Sequence, residues 1–352
     1  MTVTDVGHRR TVTSMGGLEV VPEPQWDSVV ATLGGLDTYT SAAYSRASAL
    51  LEVPGTRPVL VRLRHPDGDV ALPLLLRPLP GRPGWDATTA YGYGGPVSRS
   101  ERVPAALGPA LDAWARGNGV VATFLRLHPL LGNAALVPPS AELVPAGSTV
   151  VWDVSPGRDL FAGMHPHHRR AARRADREGL EVVVDQRPAS LAGFRDLYVA
   201  TMRRQQADPF FYFPDEYWAA LLAEAATLRP LLVEGRVGGR LVAALLCFAH
   251  GSWLHYHLGA SDELARTMGA SNRLFLAAAE WAQARGMERL HLGGGLGGSA
   301  TSPLFVFKHR YDPPSVPLPF HVAKLVHDPA GYRDLAGTDD TAGFFPPWRR
   351  PA

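Results

Sequence analysis

Short apolar segments alternate with amphipathic segments in the first half of the chain, and this pattern predicts strands interspersed with helices. The clearest signal is a pair of apolar segments at 58–63 and 70–76, joined by the sequence His65-Pro66-Asp67-Gly68. Such a turn sequence between two apolar segments is typical of a β-hairpin. The other elements predicted for this half are a helical region at 26–51 interrupted at Gly34 and Gly35, a helix at 104–116 and a strand at 120–127.

The second half repeats this alternation of strands and helices. Three apolar segments at 229–234, 240–249 and 252–258 follow one another with short connections. They are predicted to form an antiparallel meander, because connections this short cannot make parallel crossovers. The other predicted elements are strands at 149–154, 180–184 and 289–292, helices at 165–178, 191–204 and 216–226, and a helix with Leu274, Phe275, Ala278, Trp281 and Ala282 on one face that ends at Gly286.

The length of 352 residues is sufficient for two domains. Proline and glycine cluster between residues 138 and 147, which places a predicted domain boundary near residue 148. We therefore expect one domain at 18–148, a second at 149–330 and a tail at 331–352.

The composition is that of a globular protein, with 46% hydrophobic and 19% charged residues. No apolar segment approaches the roughly 18 residues that cross a bilayer, and no signal peptide is recognised at the start, so we expect a cytoplasmic protein. The single cysteine, Cys247, excludes an intramolecular disulfide. The net charge is only +2, so any contact with nucleic acid requires a local basic patch.

The segment 286–313 contains the most unusual pattern of the chain. Five glycines lie within the six positions 293–298, and the apolar segment that follows carries Lys308, one of only two lysines. Glycine contributes no packing, so another requirement on the backbone is expected at these positions. The alternative is a flexible surface loop with Lys308 at a strand edge.

Two segments have the features of a phosphate-binding site. Arg266, Gly269, Ala270 and Ser271 directly precede a predicted helix, whose free N–H groups suit a pyrophosphate, although Ser271 or Asn272 could simply cap that helix. The predicted helix at 165–178 carries a basic stripe that could contact a phosphate backbone or could simply be solvated. Its candidate ligand-binding residues are Arg169, Arg170, Arg173 and Arg174.

A third group of residues is aromatic and polar. Strand alternation places His255 and His257 on one face and Tyr256 on the other, and the two histidines have no companion ligand at matching spacing, so no metal is predicted. Serine-hydrolase, P-loop and early dinucleotide-binding motifs are absent from the sequence. The glycine-rich, aromatic segment 85–97 is a candidate site loop.

Several segments resemble, in this order, the FemAB-like (peptidoglycan bridge-forming) aminoacyltransferases and related GNAT N-acyltransferases. They are YGYGGP, HPHHRRAARRADREGLEV, TMRRQQADPFFYFPDEYW, LHYHLGASDELARTMGASN and LHLGGGLGGSATSPLFVFKHRYDP. The resemblance covers roughly residues 85–325. It implies an α/β fold of the α+β type, with two tandem GNAT-like domains whose largely antiparallel mixed sheets are flanked by helices.

The resemblance implies transfer of an aminoacyl group from aminoacyl-tRNA to a peptide, peptidoglycan-precursor or small-molecule amine, without a permanently bound cofactor. This chain lacks the long helical hairpin with which well-known members grip tRNA, so acyl-CoA stays open as the alternative donor. A catalytically inactive module that binds through the basic helix is a third interpretation.

Site roles follow from the same resemblance. The catalytic candidates are Lys308 for the donor phosphate or the oxyanion, Tyr256 and Tyr212 for hydrogen bonds near the acceptor, and Asp86 or His257 for the proton. The substrate-binding candidates are Arg203, Arg204, Phe307, Tyr91 and Tyr93. No free-standing general base is obvious, which fits a reaction in which substrate groups carry the proton.

Overall fold

A computed structural model describes residues 17–100 and 106–350. Within these residues a single sheet of twelve strands runs through the molecule, in the order β1-β2-β3-β4-β5-β12-β6-β11-β10-β9-β8-β7. The strands are β1 (Leu18–Val21), β2 (Arg57–Leu63), β3 (Val70–Pro78), β4 (Trp85–Thr88), β5 (Val120–Arg126), β6 (Glu142–Asp153), β7 (Glu181–Asp185), β8 (Pro230–Val237), β9 (Arg240–His250), β10 (Trp253–Ser261), β11 (Arg289–Gly294) and β12 (Leu318–Val326).

Helices cover both faces of this sheet. They are α1 (Trp26–Thr32), α2 (Ala42–Ala49), α3 (Leu107–Gly117), α4 (Leu160–Gly163), α5 (Pro166–Arg177), α6 (Ala192–Arg204), α7 (Asp215–Ala223), α8 (Ala225–Leu228), α9 (Glu263–Met268), α10 (Ala270–Gln283), α11 (Pro303–His309) and α12 (Pro329–Ala336). In the part of the chain that the structure describes, no helix is both long and apolar enough to cross a membrane.

The hairpin and the meander predicted from sequence are both confirmed. Strands β2 and β3 pair antiparallel, and the Gly68 N–H donates to the His65 carbonyl in the turn between them. Strands β8, β9 and β10 form the antiparallel meander. Residues 104 and 105 of the helix predicted at 104–116 lie outside the described residues. Within the described residues this helix is α3, which begins at Leu107.

Several element boundaries differ from the sequence-based expectation. The predicted helix at 216–226 is two helices, α7 and α8, because the chain breaks near Glu224. After the break at Gly34 and Gly35 the chain becomes helical again in α2, whose first turn is capped by Ser41. Arg266 lies on α9 instead of a turn, and this short helix begins at the Asp262 cap.

The two halves of the sheet repeat one topology. In each half two antiparallel hairpin connections lead to a parallel pair, β4–β5 in the first half and β10–β11 in the second. Each parallel pair is connected by a helical crossover, through α3 or through α9 and α10, as parallel strands require. This repetition is the internal duplication that two tandem domains of one fold produce.

Each half donates a strand to the other half. β6 follows β5 in the chain but pairs with β11, whereas β12 follows β11 but pairs with β5. The two donated strands pair with each other in the centre of the sheet. β6 runs through the boundary predicted at residue 148, so the halves are joined by a shared sheet and not by a flexible linker.

The tail beyond residue 330, to which the sequence assigned no role, packs on the first half. Tyr332 and Phe345 stack with ring centroids 5.7 Å apart over the buried Val121 and Ala122 of β5. The Trp348 indole N–H donates a hydrogen bond of 2.8 Å to the fully buried carboxylate of Asp86 on β4. The tail therefore closes one side of the first half.

Candidate functional site

The candidate site begins where β10 and β11 separate. Their parallel pairing is limited to Trp253–His255 against Arg289–His291. β10 continues beside β9 to Ser261, with a bulge between Tyr256 and Leu258, while β11 ends at Gly294. Two parallel strands that separate in this way leave backbone groups free at the opening, and bulges are frequent next to active sites.

Lys308 lies at this opening. It is buried on α11, a helix that begins after the capping hydroxyl of Ser302, so the alternative of a lysine at a strand edge is wrong. Its Nζ donates a hydrogen bond of 2.8 Å to the Gly294 carbonyl. Burial lowers the pKa of Lys308 to about 8, so the ammonium form still predominates at neutral pH.

Two of the glycines before α11, Gly295 and Gly298, are tightly packed, whereas a Cβ on Gly297 would meet nothing within 4 Å. A Cβ on Gly295 would overlap the Ser302 hydroxyl and lie 2.8 Å from the Phe305 Cβ. A Cβ on Gly298 would lie 2.5 Å from the Ala146 carbonyl oxygen of β6. The backbone of this segment therefore runs against α11 and the donated strand, which is what places Lys308 at the end of β11.

Tyr93 comes from the first half and meets Lys308 at Gly293. A Cβ on Gly293 would lie 3.4 Å from the Tyr93 hydroxyl and 3.5 Å from the Lys308 Nζ. Gly293 has a φ of +72°, which favours glycine. A side chain at this position would thus fill the space between a hydroxyl and an ammonium, two groups that can donate to a developing oxyanion.

Tyr256 lies on the opposite face of β10 from the two histidines, as alternation predicted. The Lys308 Nζ is 5.4 Å from the centroid of its ring, and the ring packs on Phe275 at 4.8 Å. His257 and Tyr91 contact each other at 5.8 Å on the other face. The sheet therefore separates the predicted acceptor-side tyrosine from the predicted histidine.

His257 is half-buried and its Nε2 is 2.8 Å from the Tyr217 hydroxyl. Burial lowers its pKa to about 3, so the ring is neutral at physiological pH and a poor match for a general base working there. Tyr212 is 37% exposed and directly follows the turn Pro209–Phe211. Both proposed roles stay predictions.

Asp86 is part of an ion-pair network and does not cap a turn. Its carboxylate is fully buried in β4 and accepts hydrogen bonds from the Arg77 Nε at 2.6 Å, from the Arg349 Nε at 2.8 Å and from the Trp348 indole at 2.8 Å. A carboxylate held by two guanidiniums is a weak proton acceptor. Its position therefore favours a role in attaching the tail.

The remaining predicted substrate residues are distributed around the opening. Phe307 lies on the same helix as Lys308, and its ring centroid is 4.9 Å from that of His168. Arg204 donates to the Ser261 carbonyl at the end of β10, and Arg203 beside it is exposed. These arginines hold or flank the end of β10 and do not contact Lys308.

A buried cluster of Asp37, His128 and His255 was not predicted from the sequence. The two carboxylate oxygens of Asp37 lie 2.9 Å from the His128 Nε2 and 2.8 Å from the His255 Nε2. The two hydrogen bonds join residues 91 and 218 positions apart, so no local sequence signal could reveal them. The His128 Nδ1 accepts from the Leu131 N–H, which assigns the proton to its Nε2.

This cluster brings together the ligand types that a metal would need. Its three ligand atoms lie within 4.8 Å of one another. Both carboxylate oxygens are already satisfied by imidazole N–H groups, which is the arrangement of a polar network. The His255 Nδ1 and the His291 Nε2 are buried without a hydrogen-bond partner among the described residues, and their ring centroids are 5.6 Å apart.

The predicted phosphate cradle at the start of α10 is packed against α5. A Cβ on Gly269, which has a φ of +81°, would lie 3.0 Å from both the Cβ and the carbonyl oxygen of Ala171. Ala270 and Asn272 are buried, and Ser271 is half-buried. Helix packing is therefore a sufficient reason for this glycine.

The basic helix has the two faces that its sequence indicated. Ala171, Ala172, Ala175 and His168 are buried, and the arginines lie on the other side. Three of those arginines make structural contacts: Arg169 donates to the carbonyls of Ala162 and Met164, Arg173 lies 4.9 Å over the Phe161 ring, and Arg174 donates to the Met268 carbonyl. Arg170 is exposed. Arg266, on the neighbouring helix α9, pairs with Glu263.

Comparison with known proteins agrees with this architecture. Residues 165–300 match the acetyltransferase (GNAT) domain model. No curated protein matches the chain. Among solved structures the chain is similar to FemX, with a TM-score of 0.66 and 13% identity over 90% of this chain and 99% of FemX.

Two further solved structures share the fold. L-PGS from Bacillus licheniformis has a TM-score of 0.56 at 17% identity, over 86% of this chain and 91% of its own. A tandem GNAT protein from the clavulanic acid biosynthesis pathway has a TM-score of 0.51 at 15% identity, over 88% of this chain and 98% of its own. Identities this low support the fold and not a particular substrate.

The predicted α/β architecture of two tandem GNAT-like units is thereby confirmed. The acyltransferase class rests on the GNAT domain match, which covers α5 to β11 and so includes the opening between β10 and β11. Residues 165–300 are thus similar to a GNAT acetyltransferase domain, and the chain as a whole has the tandem GNAT-like fold that it shares with the FemX structure.

Proposed function

We propose that the protein transfers an aminoacyl group from aminoacyl-tRNA to an amine acceptor and forms an amide. The observation that carries this proposal is the buried Lys308 ammonium at the opening between β10 and β11. Its Nζ and the Tyr93 hydroxyl lie 3.5 and 3.4 Å from the position that a Cβ on Gly293 would occupy. Two donors converging on one small space suit the stabilisation of an oxyanion.

The chemistry balances without a cofactor. The acceptor nitrogen attacks the ester carbonyl, the new C–N bond forms, and the C–O bond to the tRNA ribose breaks. The proton lost by the amine ends on the ribose oxygen that leaves. The protein's task is to align the two substrates and to stabilise the negative charge on the carbonyl oxygen, which positioning and preorganised donors achieve.

The donor assignment is supported by the surface around α5. Gly269 packs on Ala171, so the start of α10 is partly covered by the neighbouring helix. On the outer side of α5, Arg170, Arg173 and Arg174 are exposed and could contact an extended phosphate backbone.

Acyl-CoA is the second candidate donor. It is favoured by the Arg266-to-Ser271 sequence at the start of α10 and by the name of the similar tandem GNAT structure, which mentions AcCoA. CoA presents a pyrophosphate that a helix N-terminus can bind. The two donors therefore differ in an experiment that removes RNA.

The test measures binding of purified bulk aminoacyl-tRNA and of acetyl-CoA, and transfer of labelled aminoacyl groups to a panel of amines with and without ribonuclease. We expect tRNA binding, and transfer that ribonuclease abolishes. Lys308→Met keeps the volume of the side chain but removes its charge, so transfer should fall by about 100-fold or more while tRNA binding persists.

The control is Leu304→Ala, an exposed position on the same helix, which should leave transfer unchanged. Binding of acetyl-CoA alone, with ribonuclease-resistant acyl transfer, would establish the second candidate instead. Full transfer activity in Lys308→Met would overturn the role of this lysine for either donor.

A further inference from the structure

A large cavity lies apart from Lys308, between the first half of the sheet and the segment before α7. Its volume is about 1030 Å³, which is large enough for a small organic molecule. The floor is formed by β5 and β12, and the walls come from residues 208–211 and from the tail at 343–349. The second half and the tail thus enclose a face of the first half.

Cationic side chains dominate the polar lining of this cavity. Arg77, Arg126 and Arg349 lie close together, and the carboxylates of Glu52 and Asp86 lie beside them. Arg77 pairs with both carboxylates, at 3.0 and 2.5 Å, and Arg349 pairs with Asp86 at 2.7 Å. The two carboxylates are therefore occupied by Arg77 and Arg349, and neither pairs with Arg126.

The remaining charged residues of the lining do not pair with Arg126. Lys324 donates to the Thr341 carbonyl at 2.6 Å and lies 3.4 Å from Glu142. Asp208 is exposed, and its carboxylate accepts the Phe210 N–H at the start of a turn. Neither residue forms an ion pair with Arg126 among the described residues.

Arg126 is the arginine of this lining that has no ion-pair partner within the described part of the chain. It is half-buried, and among the described residues its guanidinium makes no ion pair and has only a 3.4 Å contact with the Thr88 hydroxyl. Burial lowers the pKa of Arg126, with Glu52 acting in the opposite direction, and the group stays charged. A guanidinium with most of its donors unused in a cavity is matched to a planar anion, which it can bind with two parallel hydrogen bonds.

Aromatic side chains form the apolar part of the cavity. Phe124 lies beside Arg126, with the guanidinium carbon 5.2 Å from its ring centroid. Phe210 and Phe344 also line the cavity and are 40% and 43% exposed, which is unusual for phenylalanine in a folded protein. An apolar ligand would remove these rings from water.

We infer that this cavity binds an organic acid whose carboxylate or phosphate group pairs with Arg126 and whose apolar or aromatic body lies against the phenylalanines. The unpaired Arg126 guanidinium defines the head group, and the exposed rings define the body. If the proposed function holds, this acid is the amine acceptor; that assignment rests on the proposed function, whereas the binding itself does not.

The test titrates the full chain, without any acyl donor, with 4-phenylbutyrate, 4-phenylbutyl phosphate and the uncharged 4-phenylbutan-1-ol, by calorimetry. We expect saturable binding of at least one acid, with the alcohol weaker by about tenfold or more, because charge-assisted hydrogen bonds discriminate by this amount. The tighter acid identifies the head group. Omitting the donor separates a failure of this inference from a failure of the proposed transfer reaction.

Three variants make the assignment specific to the cavity. Arg126→Gln should weaken acid binding to the level of the alcohol, whereas Arg187→Gln, an exposed arginine elsewhere, should leave it unchanged. Val322→Phe keeps Arg126 but fills the cavity floor, so it should weaken the acids and the alcohol alike. Circular dichroism and thermal unfolding verify that each variant is folded.

Equal binding of acids and alcohol by the wild type would overturn the inference, as would unchanged acid binding in Arg126→Gln. The absence of saturable binding of either acid at millimolar concentration would overturn it as well. Loss of acid binding in the Arg187→Gln control would show general surface attraction and would also contradict it.

Discussion

At the scale of single residues, burial decides which charged groups the candidate site can use. Lys308 has its ammonium within 2.8 Å of one carbonyl and no carboxylate partner among the described residues. The site therefore keeps a cation in a poorly solvated position, an arrangement that disfavours folding and suits the stabilisation of negative charge.

Lys308→Met should show this conflict between stability and activity directly. Because burial lowers the lysine pKa from 10.5 to about 8, removing the charge should raise the free energy of unfolding by about 1–3 kcal/mol, less the lost hydrogen bond. Urea unfolding at pH 7 measures this change. A variant less stable than the wild type would contradict the strain that we assign to the ammonium.

The transfer rate should also depend on the charge state of Lys308. The ammonium is present below its pKa of about 8 and is lost above it, so the rate should fall as pH rises through about 8. In Lys308→Arg the descending limb should move to higher pH, because arginine stays protonated. A pH profile of single-turnover transfer, corrected for uncatalysed ester hydrolysis, measures the descending limb in the wild type and in the variant. If the limb does not shift in Lys308→Arg, the loss of rate at high pH belongs to a group other than Lys308.

Buried neutral histidines should make the fold sensitive to acid. Burial lowers the pKa of His257 to about 3 and of His168 to about 4, below the ordinary 6.5. The unfolded chain therefore binds more protons than the native one, and stability is lost as pH falls below about 6.5. Each should contribute about 2 kcal/mol of loss between pH 7 and pH 5.

Urea unfolding at the two pH values measures this loss, and His257→Gln isolates one contribution. The variant starts less stable, since Tyr217 loses its partner, but its stability should fall less steeply toward pH 5. An equal slope in variant and wild type would show that His257 is not the titrating group.

At the scale of elements, a close helix contact explains Gly269, the glycine that the sequence assigned to phosphate binding. Gly269 and Gly179 have nearly the same left-handed backbone, with φ of +81° and +80°. A Cβ on Gly269 would press on Ala171, whereas a Cβ on Gly179 would meet nothing within 4 Å. The two positions therefore separate backbone strain from packing.

Gly179→Ala should lower the free energy of unfolding by about 1 kcal/mol, the usual effect of a left-handed alanine. Gly269→Ala should lower it by about 1–3 kcal/mol more, because α5 and α10 must move apart. Denaturant unfolding of both variants gives the difference. Equal losses would mean that the start of α10 has room for a side chain, and for a phosphate.

The same scale shows where sequence reasoning succeeded and where it did not. The β2–β3 hairpin, the β8–β10 meander and the alternation of His255, Tyr256 and His257 follow from local patterns, because the strand period and short turns are properties of adjacent residues. The helix carrying Lys308 was not assigned from the sequence. It has only seven residues, and its continuous apolar run does not distinguish a short helix from a strand. Its start depends on Ser302, whose hydroxyl lies against Gly295.

At the scale of the whole molecule, the exchange of β6 and β12 makes the two halves interdependent. Asp37 of the first half holds His255 of the second in a fully buried hydrogen bond of 2.8 Å, and also holds His128. Removing the carboxylate would leave two buried imidazole N–H groups without an acceptor, which is costly in a poorly solvated interior.

Asp37→Ala should therefore lower the free energy of unfolding by about 3–5 kcal/mol and increase cleavage by protease near the contact between the halves. The control is Asp215→Ala, which breaks an exposed ion pair with Arg195 and should produce no measurable change. Urea unfolding and limited proteolysis measure both variants. A small effect of Asp37→Ala would show that the shared sheet alone holds the halves together.

The sequence by itself determined many of the elements, the antiparallel hairpin and meander, and the two faces of the α5 helix, since these depend on neighbouring residues. It also determined the resemblance, which rests on ordered motifs and which the GNAT match and the shared fold support. Only the tertiary structure decided that each half gives a strand to the other, that Asp37 joins His128 to His255, and that Arg126 is left without a carboxylate. These features join residues far apart in the chain, and charge compensation depends on which side chains the fold brings within a few ångströms of one another.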